Sequence, residues 1–352
     1  MPDSFNPDIL AVARGSRGIS QSVFAKKMGW SQGKASKVEH GLSDISEEEG
    51  RQISEILQYP LELFYQTSAP SGFGSCCLYH RKRLTTPVRT LNRLHDEINI
   101  RRIQIGRLLR GVTLPHEPNI PRMDIDEYES PEEVARLMRA AWQLPRGPVL
   151  SLIDAIECAG GIVVLCDLHT PKIDAVSQRA TGLPPILFID RSKPTDRCRF
   201  TLAHEIGHIV MHTAPTPDAE KEADRFAAEF LMPEHEITHD LEGLSIVKAA
   251  NLKLKWRVSM QALVRRARDV GAIGDARYKS LIVRISQLGY KKNEPNPIKA
   301  EVPKMFRWVI NLYLRDRGYS IKELSAAMLC LEEECRREYL REENGQELRV
   351  VG

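Results

Sequence analysis

The chain of 352 residues carries 50 Lys and Arg against 47 Asp and Glu, a formal net charge of +3, with 42% hydrophobic residues. That length suits two or three domains with ordinary apolar cores, and so small a net charge singles out no partner; only its distribution can. The absence of any run of about eighteen apolar residues excludes a membrane-spanning helix. The opening residues Met1 to Asp8 lack the basic start and apolar stretch of a signal peptide. Cys76, Cys77, Cys158, Cys166, Cys198, Cys330 and Cys335 are odd in number and make no C-x-x-C pair. They read as the reduced thiols of a cytoplasmic protein rather than as a disulfide frame or a cysteine zinc site.

Residues 7–65 read as a compact all-helical unit. A first helix begins at Ile9–Arg14 and is expected to be interrupted by Gly15 and Gly18. A second runs to Met28 with Ser20 as its N-cap, and Gly29 ends it. Ser31 caps a third through Glu39, closed by Gly41, and a fourth spans Ser43–Gln58 before Pro60. Two short helices joined by a tight glycine-containing turn make a helix-turn-helix, with Ala25 small enough to let them approach. The run from Ile19 to Gly41 resembles the XRE/Cro-type helix-turn-helix family. In that geometry the third helix enters the major groove, so Gln32, Lys34 and Lys37 are the candidate groove contacts. Gln21, opening the second helix, is the candidate phosphate contact. DNA is therefore the expected partner of residues 1–68, with a protein-binding scaffold as the competing reading. Such readers commonly dimerise on paired half-sites, so a homodimer is one option, although no coiled-coil heptad is evident.

Residues 69–128 read as a basic helical connector and linker. Arg81, Lys82, Arg83, Arg89, Arg93, Arg101, Arg102, Arg107 and Arg110 interleave with Leu91, Leu94, Ile98, Ile103 and Ile105, the pattern of a long amphipathic helix. An arginine face against DNA and a face packed on the rest of the protein are equally open. Pro115 to Pro121 reads as linker.

Residues 129–240 carry the chemistry. Ser130-Pro131-Glu132-Glu133 is a helix start; a helix over Val149–Ala159, a strand over Gly161–Leu165 and a second strand over Pro185–Asp190 follow. Ile186–Ile189 is a candidate edge for holding an extended peptide by strand addition, or else an interior strand. Next comes His204-Glu205-Ile206-Gly207-His208 inside an apolar helical run. Histidines four apart share one helix face and can reach one metal, and the intervening Glu205 can serve as base for a metal-acidified water. A catalytic zinc needs a third ligand while keeping a position open. Phe226, Ala227, Phe230 and Leu231 make the following segment an amphipathic helix ending before Pro233. On it Glu220 and Asp224 share a face, so Glu220 is the preferred ligand and Asp224 the group that orients a liganding histidine. Glu222, on a different side, is the competitor. His212 continues the ladder from His208 and could be a fourth ligand, a transition-state donor or a packed side chain. A fourth imidazole would close the open position, which favours a non-ligand role. His235 and His239 read as surface residues.

These two linked segments resemble the ImmA/IrrE family of zinc metallo-endopeptidases, the similarity covering about residues 130–235. The resemblance implies a zincin-like fold, a Zn²⁺ cofactor and Glu220 as third ligand. It also implies a protein substrate, typically a helix-turn-helix repressor or antitoxin-like partner. Asp224 stands where the family often has Asn, and a carboxylate still accepts the same hydrogen bond.

Residues 241–352 read as a helical C-terminal region. Arg265, Arg266 and Arg268 cluster in its first half, and Ser320 with Glu323 forms a capping box before Leu324–Leu331. That last pair of helices resembles small C-terminal modules found on family members. Glu332-Glu333-Glu334 reads as a solvated helix face, and no long internal repeat is visible. The expected fold is multi-domain and mainly α. It has an all-α helix-turn-helix unit, a central α+β zincin-like domain with a small sheet, and a helical C-terminus. The expected function is a cytoplasmic DNA-binding regulator that cleaves a protein partner or itself. The alternative is a non-cleaving repressor or antitoxin whose metal domain senses a ligand or partner.

Overall fold

A computed structural model describes residues 4–67, 87–170, 172–214, 216–291 and 293–340. The run Arg81-Lys82-Arg83, with Cys76 and Cys77, lies outside the described residues. The fold is mainly helical around one three-stranded sheet. Among the described residues, no helix is long and apolar enough to cross a membrane.

The N-terminal unit comprises α1 (Pro7–Ser16), α2 (Gln21–Met28), α3 (Gln32–Glu39), α4 (Glu47–Leu57) and a 3₁₀ turn, Leu61–Tyr65. Its boundaries follow from caps. Ser20 accepts from the Val23 N–H, Ser31 from Lys34, and Ser46 forms a reciprocal capping box with Glu49. Gly29, at φ 68°, turns α2 into α3. Gly15 does not interrupt the first helix as expected but sits inside it. A Cβ there would fall 1.8 Å from an Asp96 carboxylate oxygen, so its bareness serves the approach of α1 to the next helix.

That next helix, α5 (Val88–Arg110), is the spine of the molecule. Its arginines divide between the two readings: Arg101 and Arg102 are enclosed, whereas Arg89, Arg93 and Arg110 are exposed. Ile100 and Ile103 join the core of the N-terminal unit, while Leu91, Leu94, Ile98, Ile105 and Leu108 join a core built on the sheet.

The central part runs α6 (Pro131–Ala141), α7 (Leu152–Cys158), β1 (Ile162–Cys166), β2 (Ala175–Gln178), β3 (Ile186–Asp190), α8 (Thr195–Met211) and α9 (Ala219–Leu231). Sheet order is β1-β3-β2, with β1 parallel and β2 antiparallel to β3. The candidate edge at Ile186–Ile189 is thus the interior strand, buried along its whole length and paired on both sides; β2 is an edge. Strand alternation divides the sheet's two faces. Val163, Ala175, Leu187 and Ile189 face the core under α8 and α9, whereas Ile162, Val176, Ile186 and Phe188 face α5.

The chain continues through α10 (Glu234–Leu241), α11 (Ile246–Trp256), α12 (Met260–Asp269) and α13 (Asp275–Gln287). No break in packing coincides with residue 240. The core holding Leu202, Phe226 and Phe230 also takes in Trp256, Leu263, Val264 and Ile285. A buried ion pair from Arg266 to Glu229, with Arg266 Nε donating to the Met232 carbonyl at 2.9 Å, ties α12 to α9. Last come α14 (Met305–Asn311) with a π-helical turn (Leu312–Asp316), α15 (Ile321–Met328) and α16 (Glu332–Tyr339). These pack with α5 and the sheet face opposite α8. The acidic run at the start of α16 is not wholly a solvated face, because Glu334 pairs with Arg17 of the N-terminal unit at 3.1 Å.

Candidate functional sites

Helices α8 and α9 bring His204, His208 and Glu220 together, one ligand-type atom from each lying within 4.8 Å of the others. The two histidine Nε2 atoms are 3.0 Å apart. Glu220 Oε1 stands 3.3 Å from His208 Nε2 and 4.0 Å from His204 Nε2. Two nitrogens each 2.0–2.1 Å from a tetrahedral zinc would be about 3.3 Å apart, so this triangle of donors fits such an ion. Gly207 explains how α9 comes so near. A Cβ at that position would sit 3.0 Å from Phe226 Cδ1, so the bare backbone of this residue, which lies between the two histidines in sequence, gives the phenyl ring its seat.

Each histidine is held from its other nitrogen. His204 Nδ1 meets Asp224 Oδ1 at 2.9 Å. His208 Nδ1 meets His212 Nδ1 at 2.9 Å, and His212 Nε2 meets Glu222 Oε2 at 3.0 Å. With the Nδ1 of His204 and of His208 assigned as donors, both Nε2 atoms keep a lone pair with which to join Glu220 around one ion. Burial pushes the pKa of His208 and of His212 down, favouring neutral imidazole. Burial acts in the same sense on His204, but the Asp224 bond and the Glu205 charge outweigh it and raise its pKa. Glu222, the competitor for third ligand, is thus engaged with His212.

Glu205 is fully buried between the histidines and β2. Its Oε2 accepts from the Ser177 amide at 3.1 Å and the Ser177 hydroxyl at 2.6 Å. Ser177 and the strand carrying it escaped the sequence reading, since four residues reading Ala-Val-Ser-Gln give no decisive period. A cleft of about 1670 Å³ opens alongside, bordered by Thr201, Asp224, Arg225, Arg265 and Tyr278, but it touches none of the three donors of the triangle.

In the N-terminal unit, Gln32 and Lys37 project from α3 into solvent. Lys34 is half-buried, paired with Glu49 and lying 4.8 Å over the Trp30 ring. Gln21 donates to Glu39 Oε2 at 2.9 Å, and Glu39 also receives Arg14. Two of the four candidate DNA contacts are therefore engaged within the protein. His235 and His239 are exposed.

Comparison with known proteins assigns both regions. Residues 10–64 match the helix-turn-helix family and residues 157–268 match the IrrE N-terminal-like domain, an M78 peptidase family. No curated protein matches the chain. The second match contains every residue of the candidate metal site, Ser177 included: it begins before β1 and runs on through most of α12.

Proposed function

Because the chain joins an XRE-type helix-turn-helix domain to an IrrE-type peptidase domain, we propose that it is a DNA-binding transcription regulator that is also a zinc-dependent endopeptidase. The observation that carries this reading is the convergence of His204, His208 and Glu220 with Glu205 fixed beside them. Zinc, held by those three residues, would supply Lewis acidity and make a water acidic enough to lose its proton near neutral pH.

The protein's own groups then have separate tasks. Glu205 takes the proton of the attacking water and returns it to the leaving amine. Ser177 orients that carboxylate from the strand side. Asp224, and Glu222 through His212, set the tautomers of His204 and His208. An extended substrate backbone would add to the outer side of β2, the strand that bears Ser177. The proposed substrate is a protein partner of the repressor or antitoxin kind, or the chain itself, and Gln32, Lys34, Lys37 and Gln21 are the proposed DNA contacts. The test is incubation of the full chain with repressors encoded beside its gene. Wild type should cleave one of them and Glu205→Gln should leave it intact; equal behaviour of the two would remove the peptidase claim.

A further inference from the structure

The last two helices repeat α2 and α3, and each pair follows a further helix. Shifting the numbering by 300 residues superposes the element boundaries from Arg17 to Glu39 on those from Arg317 to Tyr339. Helices α2 (Gln21–Met28) and α15 (Ile321–Met328) have equal length, as do α3 (Gln32–Glu39) and α16 (Glu332–Tyr339). Gly18 and Gly318, which precede the two motifs, both have positive φ, 67° and 69°. Ser20 and Ser320 both cap the first helix of the pair. The turn residue Gly29 has φ 68° and its counterpart Leu329 has φ 59°. The turn hydrogen bonds recur as well: Trp30 N–H to Ala25 O at 2.8 Å, and Cys330 N–H to Ser325 O at 3.1 Å. Phe24, Ala25, Met28 and Ala35 are buried, and so are Leu324, Ser325, Met328 and Cys335. A helix, a positive-φ glycine, a capped helix, a left-handed turn residue and a second helix in register make a helix-turn-helix.

The chemistry of the second unit is reversed. Where α3 opens with Gln32, Gly33 and Lys34, α16 opens with Glu332, Glu333 and Glu334. Those first-turn positions meet bases and phosphates in a reading helix, and three carboxylates there oppose a polyanion. The helix has protein partners instead. Glu334 binds Arg17 of the first unit through both carboxylate oxygens, at 3.2 and 3.1 Å. Glu338 binds Arg101 of α5 at 2.9 Å, and Tyr339 donates to Gln104 at 2.5 Å. Leu329, the turn residue, is buried in the core of the first unit. Arg107 bridges the two units, donating to Gln66 at 2.6 Å and to the Ala327 carbonyl at 2.7 Å.

We propose that residues 305–339 are a second helix-turn-helix unit whose second helix, α16, docks on the first unit and on α5 and clamps the first unit to the body that carries the candidate metal site. The clamp depends on neither metal nor cleavage, so its failure and that of the peptidase reading are separate results. Its function is mechanical: with α14 and α15 seated on the sheet side and α16 on Arg17 and Arg101, the orientation of α3 is fixed relative to the metal site.

The test uses the full chain. Hydrogen exchange in residues 7–17 and 332–339 is compared among wild type, Glu334→Gln with Glu338→Gln, and the exposed control Glu333→Gln. The paired neutralisation should speed exchange in both segments several-fold and the control should leave both unchanged. In parallel, binding to a random-sequence DNA duplex is measured for Lys37→Ala and for Arg337→Ala at the equivalent position of α16. Lys37→Ala should weaken binding and Arg337→Ala should not. Silent exchange in the paired variant would overturn the clamp, and an equal loss of DNA binding from Arg337→Ala would make α16 a second reader.

Discussion

Asp224 Oδ1 lies 2.9 Å from His204 Nδ1, on the opposite side of the imidazole from the nitrogen that faces His208 and Glu220. The carboxylate comes from α9 and the histidine from α8, so one hydrogen bond couples the spacing of two helices to the aim of a candidate metal-binding nitrogen. Outer partners of this kind are worth about 10–100-fold in metal affinity. Asp224→Ala should weaken zinc binding by that order in a chelator competition, while Asp224→Asn, which still offers an acceptor oxygen, should stay within a few-fold of wild type. Equal affinity for Asp224→Ala and wild type would make the contact incidental.

Gly207→Ala should cost stability rather than add it. Helix propensity favours Ala by about 1 kcal/mol, but overpacking a close contact costs about 1–3 kcal/mol, and here the new methyl meets the Phe226 ring at 3.0 Å. The net expectation is a small loss of stability in a denaturant titration. Zinc affinity should fall with it, because pushing Phe226 away carries Glu220 away on the same helix. A stabilised variant with unchanged zinc binding would contradict this account of the glycine.

The pair Arg266–Glu229 ties α12 to α9, the helix that carries Glu220 of the candidate metal site. Glu229 is fully buried and Arg266 nearly so. Removing one partner of such a pair costs about 3–5 kcal/mol, whereas replacing both by apolar residues is often close to neutral. Arg266→Met should therefore destabilise, toward the low end of that range because Arg136 still stands 3.4 Å from Glu229, and Arg266→Met with Glu229→Leu should recover much of the loss. Thermal unfolding reads both. A negligible effect of the single change would detach α12 from the core.

Much of this was legible in the sequence because helical chemistry is local. Ser20, Ser31 and Ser320 announce caps through spacing alone, though the cap of the fourth helix is Ser46 rather than Ser43, and the four-residue intervals of His204, His208 and His212 and of Glu220 and Asp224 follow one helix face each. What could not be read was the identity of partners across the fold. The alternation of arginines and apolar residues in α5 marks an amphipathic helix, but nothing local says that Arg101 meets Glu338, 237 residues away. Ser177 reaches Glu205 only because β2 returns antiparallel beside β3. The second helix-turn-helix hides for a chemical reason. Its left-handed turn residue is Leu329 rather than glycine, and its second helix has exchanged Lys34 for Glu334. Arg317, Gly318, Ser320 and Met328 keep the residues of Arg17, Gly18, Ser20 and Met28, too few to signal a repeat.

The most direct measurement is the zinc content of the purified full chain and two single variants on α9. Wild type should carry about one zinc per chain, Glu220→Ala should lose most of it, and Glu222→Ala, which removes only the support behind His212, should retain more than Glu220→Ala. Wild-type zinc content in Glu220→Ala, or none in the wild type, would contradict a metal centre built from His204, His208 and Glu220.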